Sequence, residues 1–200
     1  MPSDKPRILL YILRRDVRLS DNPIFTAASQ QVTRPQDPTS SDTRTRDDSL
    51  TSEHRGSSFT HLLPVYVFPA QQVEVSGFLA SASDQSPYPE ARSEIAKLWR
   101  TGPHRARFIA DGAWDLKQSL EGLGCGSGLQ IRVGKVGDVV RNIFEYYSKG
   151  GDSQGGISGV WMTADESADE KGEEELVKGI AKQNGADFKL WNDEKYYIDE

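Results

Sequence analysis

Residues Arg7–Leu13, RILLYIL, form a continuous apolar run of strand length. A strand with one face in water alternates apolar and polar side chains, whereas a run apolar at nearly every position fits a strand covered on both faces, as in a parallel sheet flanked by helices. Runs of the same character recur at 62–68 (LLPVYVF), 129–133 (LQIRV), 159–162 (GVWM) and 188–191 (FKLW). Pro64 has no ladder donor, so the second strand is expected to begin only at Val65.

Helical patterns fall between these runs. Asn22-Pro23 sets a capping side chain before a proline at the first helical position and starts a helix through Phe25 and Ala28. Between Arg105 and Gly124, Ile109, Ala113, Leu116, Leu120 and Leu123 recur at helical spacing, with Gly124 as the expected stop. Residues 136–147 carry Val139, Val140, Ile143, Phe144 and Tyr147 on one stripe. Residues 167–182 carry Leu176, Val177, Ile180 and Ala181, and Gly185 is the expected C-terminal cap. Strands alternating with helices imply right-handed crossovers, so the predicted fold is α/β, a doubly wound, five-stranded parallel sheet of Rossmann-like type. Residues 30–58 differ in kind, being rich in Ser, Thr, Asp, Arg and Pro. Such a composition cannot offset the entropy of ordering, and a disordered insert is expected there. The remainder of 1–200 reads as one domain.

Composition narrows the function. At 36% hydrophobic and 27% charged the chain is of globular type, and no stretch approaches the roughly 20 apolar residues of a membrane span. Nothing before Arg7 resembles a secretory signal, so an intracellular setting is expected, cytoplasm or nucleus, with an organelle not excluded. A net charge of −6 argues against a nucleic-acid binder, which carries a basic balance or face. Arg14, Arg15 and Arg18 form a local basic cluster, expected to pair in a loop with Asp16 and Asp21. His54, His61 and His104 lack metal-ligand spacing, and the single Cys125 has no partner, so neither a metal site nor hydrolase chemistry is expected.

In an open α/β sheet, ligands settle beyond the carboxyl ends of the strands. The stretch after the first strand, Arg14-Arg15-Asp16-Val17-Arg18-Leu19-Ser20-Asp21-Asn22-Pro23, resembles the R-x-D-L-R-L-x-D-N-P signature that opens photolyases and cryptochromes, with Val17 where leucine is usual. Leu62 to Phe68 resembles the second strand of the DASH group. Thr101-Gly102-Pro103-His104-Arg105-Ala106-Arg107-Phe108 is similar to T-G-P-x-R-A-R-F, the most group-specific of the matches. Lys189-Leu190-Trp191 and Tyr197-Ile198-Asp199 resemble the close of the same domain.

This resemblance to the photolyase/cryptochrome family, and within it to the DASH cryptochromes, implies an N-terminal antenna domain. In relatives such a domain helps hold methenyltetrahydrofolate, which passes excitation to flavin. The resemblance also implies that FAD and pyrimidine-dimer DNA belong to a helical domain beyond Glu200, so that this chain alone is catalytically inactive and meets DNA only through that domain. Relatives place an acid for the pterin after the fourth strand. By position it is Glu170, with Asp169 as the second candidate. Ser167-Ala168-Asp169-Glu170 is equally an S-x-x-E capping box, whose glutamate would fold back onto the cap amide. A histidine used by some relatives after the second strand is replaced around Val75, near Gln71 and Gln72.

Two other classes share the architecture. One is a free-standing nucleotide-binding domain, which normally presents glycine-rich turns to phosphate. The acidic, glycine-free Thr163-Ala164-Asp165-Glu166 after the fourth strand argues against it. The other is a non-enzymatic interaction module.

Overall fold

The computed structural model describes residues 5–32, 59–75, 79–81, 83–150 and 155–192. The elements are β1 (Arg7–Leu13), α1 (Pro23–Val32), β2 (His61–Pro69), α2 (Pro103–Glu121), β3 (Gln130–Gly134), α3 (Val136–Lys149), β4 (Gly156–Thr163), α4 (Ala168–Gln183) and β5 (Asp187–Trp191). The five strands form one sheet in the order β3-β2-β1-β4-β5, and every pairing is parallel. This is the expected doubly wound α/β sheet.

The apolar run of β1 is explained by its central place. Leu10 and Ile12 join Val65, Val67, Val160 and Met162 against α3 and α4. Leu9, Tyr11 and Leu13 face the opposite layer with Ala28 of α1 and Leu116 and Leu120 of α2. Successive side chains thus enter two different cores, and both must be apolar.

Several boundaries depart from the sequence reading. Strand β2 begins at His61, with Pro64 paired opposite Tyr11 of β1. Pairing with β3 starts only at Val65, so the proline sits where β2 has no neighbour on that side. Helix α2 closes at Glu121 with Gly122 as its cap, and Gly124, at φ 68, lies in the following turn. Residues 30–32, assigned to the insert, belong to α1. The rest of the insert, 33–58, lies outside the described residues, as does His54.

Asn22 does cap α1: its Oδ1 accepts from the amides of Ile24 and Phe25, each at 3.0 Å, and its Nδ2 donates to the Tyr11 hydroxyl at 3.0 Å. Gly185, at φ 70, follows α4 as expected, and the Ala186 amide returns to the Ala181 carbonyl at 2.9 Å. Among the described residues no helix is long and apolar enough to cross a membrane.

One glycine fixes the entry to β4. Gly155 adopts φ 73, and a Cβ on it would press into the Pro6 carbonyl oxygen. The next amide, Gly156, donates to that same oxygen at 3.0 Å. Gly155→Ala is expected to lower stability by about 2–3 kcal/mol from the left-handed backbone and the backbone collision together. For a chain of this size that corresponds to a fall of about 5–10 °C in Tm. An unchanged midpoint in calorimetry would show that the strand entry adapts freely.

Candidate functional site

The strand order reverses between β1 and β4, and the chain leaves both strands at the same edge of the sheet. That is the switch point where an open α/β sheet forms a ligand crevice. Here β1 delivers Arg14 and Arg15, and β4 leads through Asp165 into the first turns of α4.

Arg14 is the buried centre of this edge, with its side chain 9% exposed. Its Nη1 donates to Glu174 Oε1 at 2.8 Å and lies 3.5 Å from the Thr163 carbonyl oxygen. Its Nη2 donates to the Glu170 carbonyl at 3.0 Å and lies 3.7 Å from Glu173 Oε2. Glu174 Oε1 also accepts the Asp165 amide at 2.9 Å. The Asp165 carboxylate in turn receives the Glu166 amide at 2.7 Å. One cation and two buried carboxylates therefore fix how the chain passes from β4 into α4. Arg15, 63% exposed, donates to Glu170 Oε1 at 2.6 Å and stands 3.6 Å from Asp165 Oδ2.

Beside this network lies a cavity of about 280 Å³ between the ends of β1 and β2, α2 and α4. Leu13, Val17, Tyr66, Val73 and Ile109 supply apolar walls, while Arg14, Arg15, Arg105, Glu170 and Glu173 bring charge to it. The volume approaches the lower end of small-ligand sites, and apolar walls with a few placed polar groups are their usual character. Gly112 of α2 also lines it, where an added Cβ would come within 3.2 Å of Val17 Cγ2. Inside the edge, Arg14 Nε is buried with no acceptor. An orphaned buried donor calls for an acceptor, and the missing Cβ at Gly112 lets Val17 pack close against α2.

Burial sets the titration of several groups. Desolvation raises the Glu173 carboxyl above its ordinary 4.5, Arg14 opposes this, and the neighbouring Glu170 charge adds to it. Burial alone pushes the Tyr66 phenol up to about 12. Burial also works to raise Asp16, but hydrogen bonds from the Arg18 side chain and backbone outweigh it and hold the carboxyl below 3.8.

The two acids named from sequence separate here. Glu170 is buried and lines the cavity, whereas Asp169 is exposed on the outer side of α4 and does not. The reciprocal capping box is not formed. Ser167 Oγ accepts the Glu170 amide at 3.4 Å, but the Glu170 carboxylate turns to Arg15, and the Ser167 amide points to Asp165 Oδ1 at 3.5 Å. The arginine cluster also divides. Arg18 pairs with Asp16 as expected, at 2.8 Å, but Arg14 and Arg15 reach across the sheet edge to α4, and Asp21 forms no ion pair among the described residues.

Val75 is buried away from the cavity, while Gln72 and Val73 line it and Gln71 donates to Glu173 at 3.1 Å. His61 and His104 are exposed, and no cluster of His, Cys, Asp or Glu among the described residues could hold a metal. The sequence reading missed Glu173, Glu174 and Asp165. The spacing of Glu170, Glu173 and Glu174, three and four apart, places them on one helix face and was the available signal.

The DNA photolyase family profile matches residues 9–197. A protein named as a cryptochrome DASH in Gibberella zeae is 38% identical over 97% of this chain and 24% of its own length. One named as a mitochondrial cryptochrome DASH in Neurospora crassa is 41% identical over 96% of this chain and 22% of its own length. The chain thus spans about a quarter of the length of these relatives. Among solved structures, a Synechocystis cryptochrome matches with a TM-score of 0.60 at 16% identity, covering 94% of this chain and 27% of its own. An archaeal photolyase from Sulfolobus tokodaii, solved with two FAD molecules, matches with a TM-score of 0.52 at 18% identity, covering 93% of this chain and 29% of its own.

Two expectations follow from the charge network. Arg14→Met strands Glu174 in a buried setting and should cost about 3–5 kcal/mol, whereas Arg18→Met removes a half-exposed pair worth about 0–1 kcal/mol. Urea unfolding of the two variants checks the contrast, and equal losses would contradict it. Glu173 has a raised folded value, so the native state binds its proton more tightly than the unfolded chain, and stability falls as pH rises from about 4.5 through that value. Glu173→Gln, which cannot ionise, should be at least as stable as the parent at neutral pH. Its advantage should shrink as pH is lowered towards 4.5, and unfolding curves at both ends of the range test this.

Proposed function

Because this chain belongs to the DNA photolyase family, we propose that it is the N-terminal antenna domain of a DASH-type cryptochrome or photolyase, residues 1–200 forming one domain whose cavity takes the ring of a light-harvesting cofactor. Methenyltetrahydrofolate is the candidate ring. Flavin binding and any pyrimidine-dimer repair are assigned to a helical domain outside these residues, so the chain by itself repairs no DNA. That helical domain is the proposed partner, and DNA is met only through it. An intracellular setting, organelles included, accords with the name of the Neurospora relative.

The observation that carries this reading is Glu170, a buried carboxylate on an apolar-walled cavity at the switch point of the sheet. A pterin presents adjacent N–H donors on its amidine edge, and a carboxylate accepts two such hydrogens side by side. Arg15 holds only Oε1 of Glu170 and is itself largely exposed, so it can yield that oxygen at small cost. Leu13, Tyr66 and Ile109 would cover the ring faces and keep water from the Glu170 contact. When bound, the group supplies absorption of near-ultraviolet light and hands the excitation on. The Sulfolobus photolyase, whose structural description speaks of a novel light-harvesting cofactor, is a fold relative in which an antenna has been inferred.

Titration of methenyltetrahydrofolate, followed by near-ultraviolet absorbance, tests the assignment. Glu170→Gln should weaken binding about 10- to 100-fold, the loss expected when a charged acceptor becomes neutral. Asp169→Asn, altered on the exposed side of α4, should bind as the parent does. Equal affinity in all three folded proteins would remove Glu170 from the site.

A further inference from the structure

Residues 91–100, in the connection between β2 and α2, form a short hairpin. Its arms are joined by the Ser93 amide to the Leu98 carbonyl at 2.8 Å and the Arg100 amide to the Ala91 carbonyl at 2.9 Å, with Arg92 and Trp99 facing each other as an antiparallel bridge. At the tip the Lys97 amide returns to the Ser93 carbonyl at 3.1 Å, and Lys97 takes φ 54, a left-handed backbone that residues other than glycine rarely adopt. Arg92 braces the turn. Its Nη1 donates to the Lys97 carbonyl at 2.9 Å, and its guanidinium lies 3.7 Å over the centre of the Trp99 ring. Ala91, which is buried, anchors the base.

This braced frame holds apolar side chains in water. Ile95 is 98% exposed and Leu98 69%, with Trp99 beside them at 42%. Single exposed apolar residues are ordinary, but three within five residues on a strained, well-bonded turn mark a contact surface. Its backbone is already fixed, so docking it costs little ordering entropy. An open hollow of about 490 Å³ lies against the same hairpin, lined by Ser93, Glu94, Ile95, Ala96 and Arg100. Projection and hollow thus stand side by side.

The charges around the tip say what covers it. Glu94, Lys97 and Arg100 are exposed, and none has an ion pair among the described residues. Both signs therefore surround one apolar tip. A two-fold contact requires that pattern, because residue i of one copy meets residue j of the other and j meets i, so the patch must complement itself in charge and in shape. A nucleic acid would call for cations alone and a free aromatic face, whereas Glu94 opposes phosphate and the Trp99 ring already carries Arg92.

We infer that this hairpin is a self-association surface: two copies of the chain pair about a two-fold axis, Ile95 and Leu98 of each against the hollow of the other, with Glu94 of one copy opposite Lys97 of its partner. One hairpin per side falls short of the roughly 800 Å² that each partner buries in a standard interface, so the pairing is weak and reversible. It is independent of the ring-binding reading, since none of these residues lines that cavity.

Sedimentation equilibrium of the 200-residue chain over about 5 to 500 µM tests this. The average mass should rise from that of one chain towards that of two. Ile95→Glu, Glu94→Lys and Lys97→Glu should each weaken the pairing at least about tenfold, the first by placing a charge in the apolar contact and the others by setting like charges opposite each other. Glu94→Lys and Lys97→Glu combined in one chain should restore it, as should an equimolar mixture of the two single variants. Leu123→Glu, altered at an exposed position after α2, should associate as the parent does. Circular dichroism confirms that each variant is folded. A mass of one chain at every concentration would overturn the inference and leave the hairpin to another partner. So would an association that the single reversals leave unchanged, that their combination fails to restore, or that Leu123→Glu weakens as much as Ile95→Glu.

Discussion

The carboxyl edge of the sheet depends on the Arg14 guanidinium. It is emitted by the central strand, buried, and ringed by the Thr163 and Glu170 carbonyls and the Glu174 carboxylate. A buried cation is tolerable only when most of its hydrogens are matched and its charge is answered nearby. Satisfying that demand fixes α4 relative to β1 and β4. It also sets Glu170 and Glu173 on the cavity side of the helix. The ion network and the cavity are therefore two sides of one construction: the fold closes over Arg14, and the acids that close it become the polar wall of the cavity.

The sheet was legible in the sequence because burial on both faces leaves a plain signal. RILLYIL is apolar at almost every position since alternate residues enter separate cores. Boundaries were less legible where tertiary context overrides a local rule. Pro64 lies inside β2 because β3 begins opposite Val65, and nothing local to the proline could show where a later strand would start. Likewise Ser167 and Glu170 have the spacing of a reciprocal cap, but a partner 155 residues away takes the carboxylate. Arg15 outcompetes the cap amide because a charge-assisted pair is the stronger bond.

The site was legible only in part for the same reason. Position after a strand selects the first turn of α4, where Glu170 lines the cavity. The choice between Asp169 and Glu170 needs the helix rotation, which the contacts of Arg14 and Glu174 determine. Arg14 and Arg15 read locally as loop residues facing Asp16 and Asp21, and the local part of that reading holds for Arg18 alone. The role of Gly112 could not be read at all, since a lone glycine in a helical pattern shows its purpose only when the neighbouring Val17 is placed beside it. Membership of the DNA photolyase family then gives the cavity a context, with the chain spanning about a quarter of its DASH relatives.

The central claim is that the cavity between β1, β2 and α2 is where this domain seats a ring chromophore. A crystal structure of the chain grown with methenyltetrahydrofolate addresses it most directly. The account predicts the pterin between Leu13, Tyr66 and Ile109, its amidine edge on Glu170, and Arg15 moved off Oε1. A pterin found elsewhere, for instance in the groove between β3 and α3 lined by Arg132 and Tyr146, with the Arg15 to Glu170 bond intact, would contradict it.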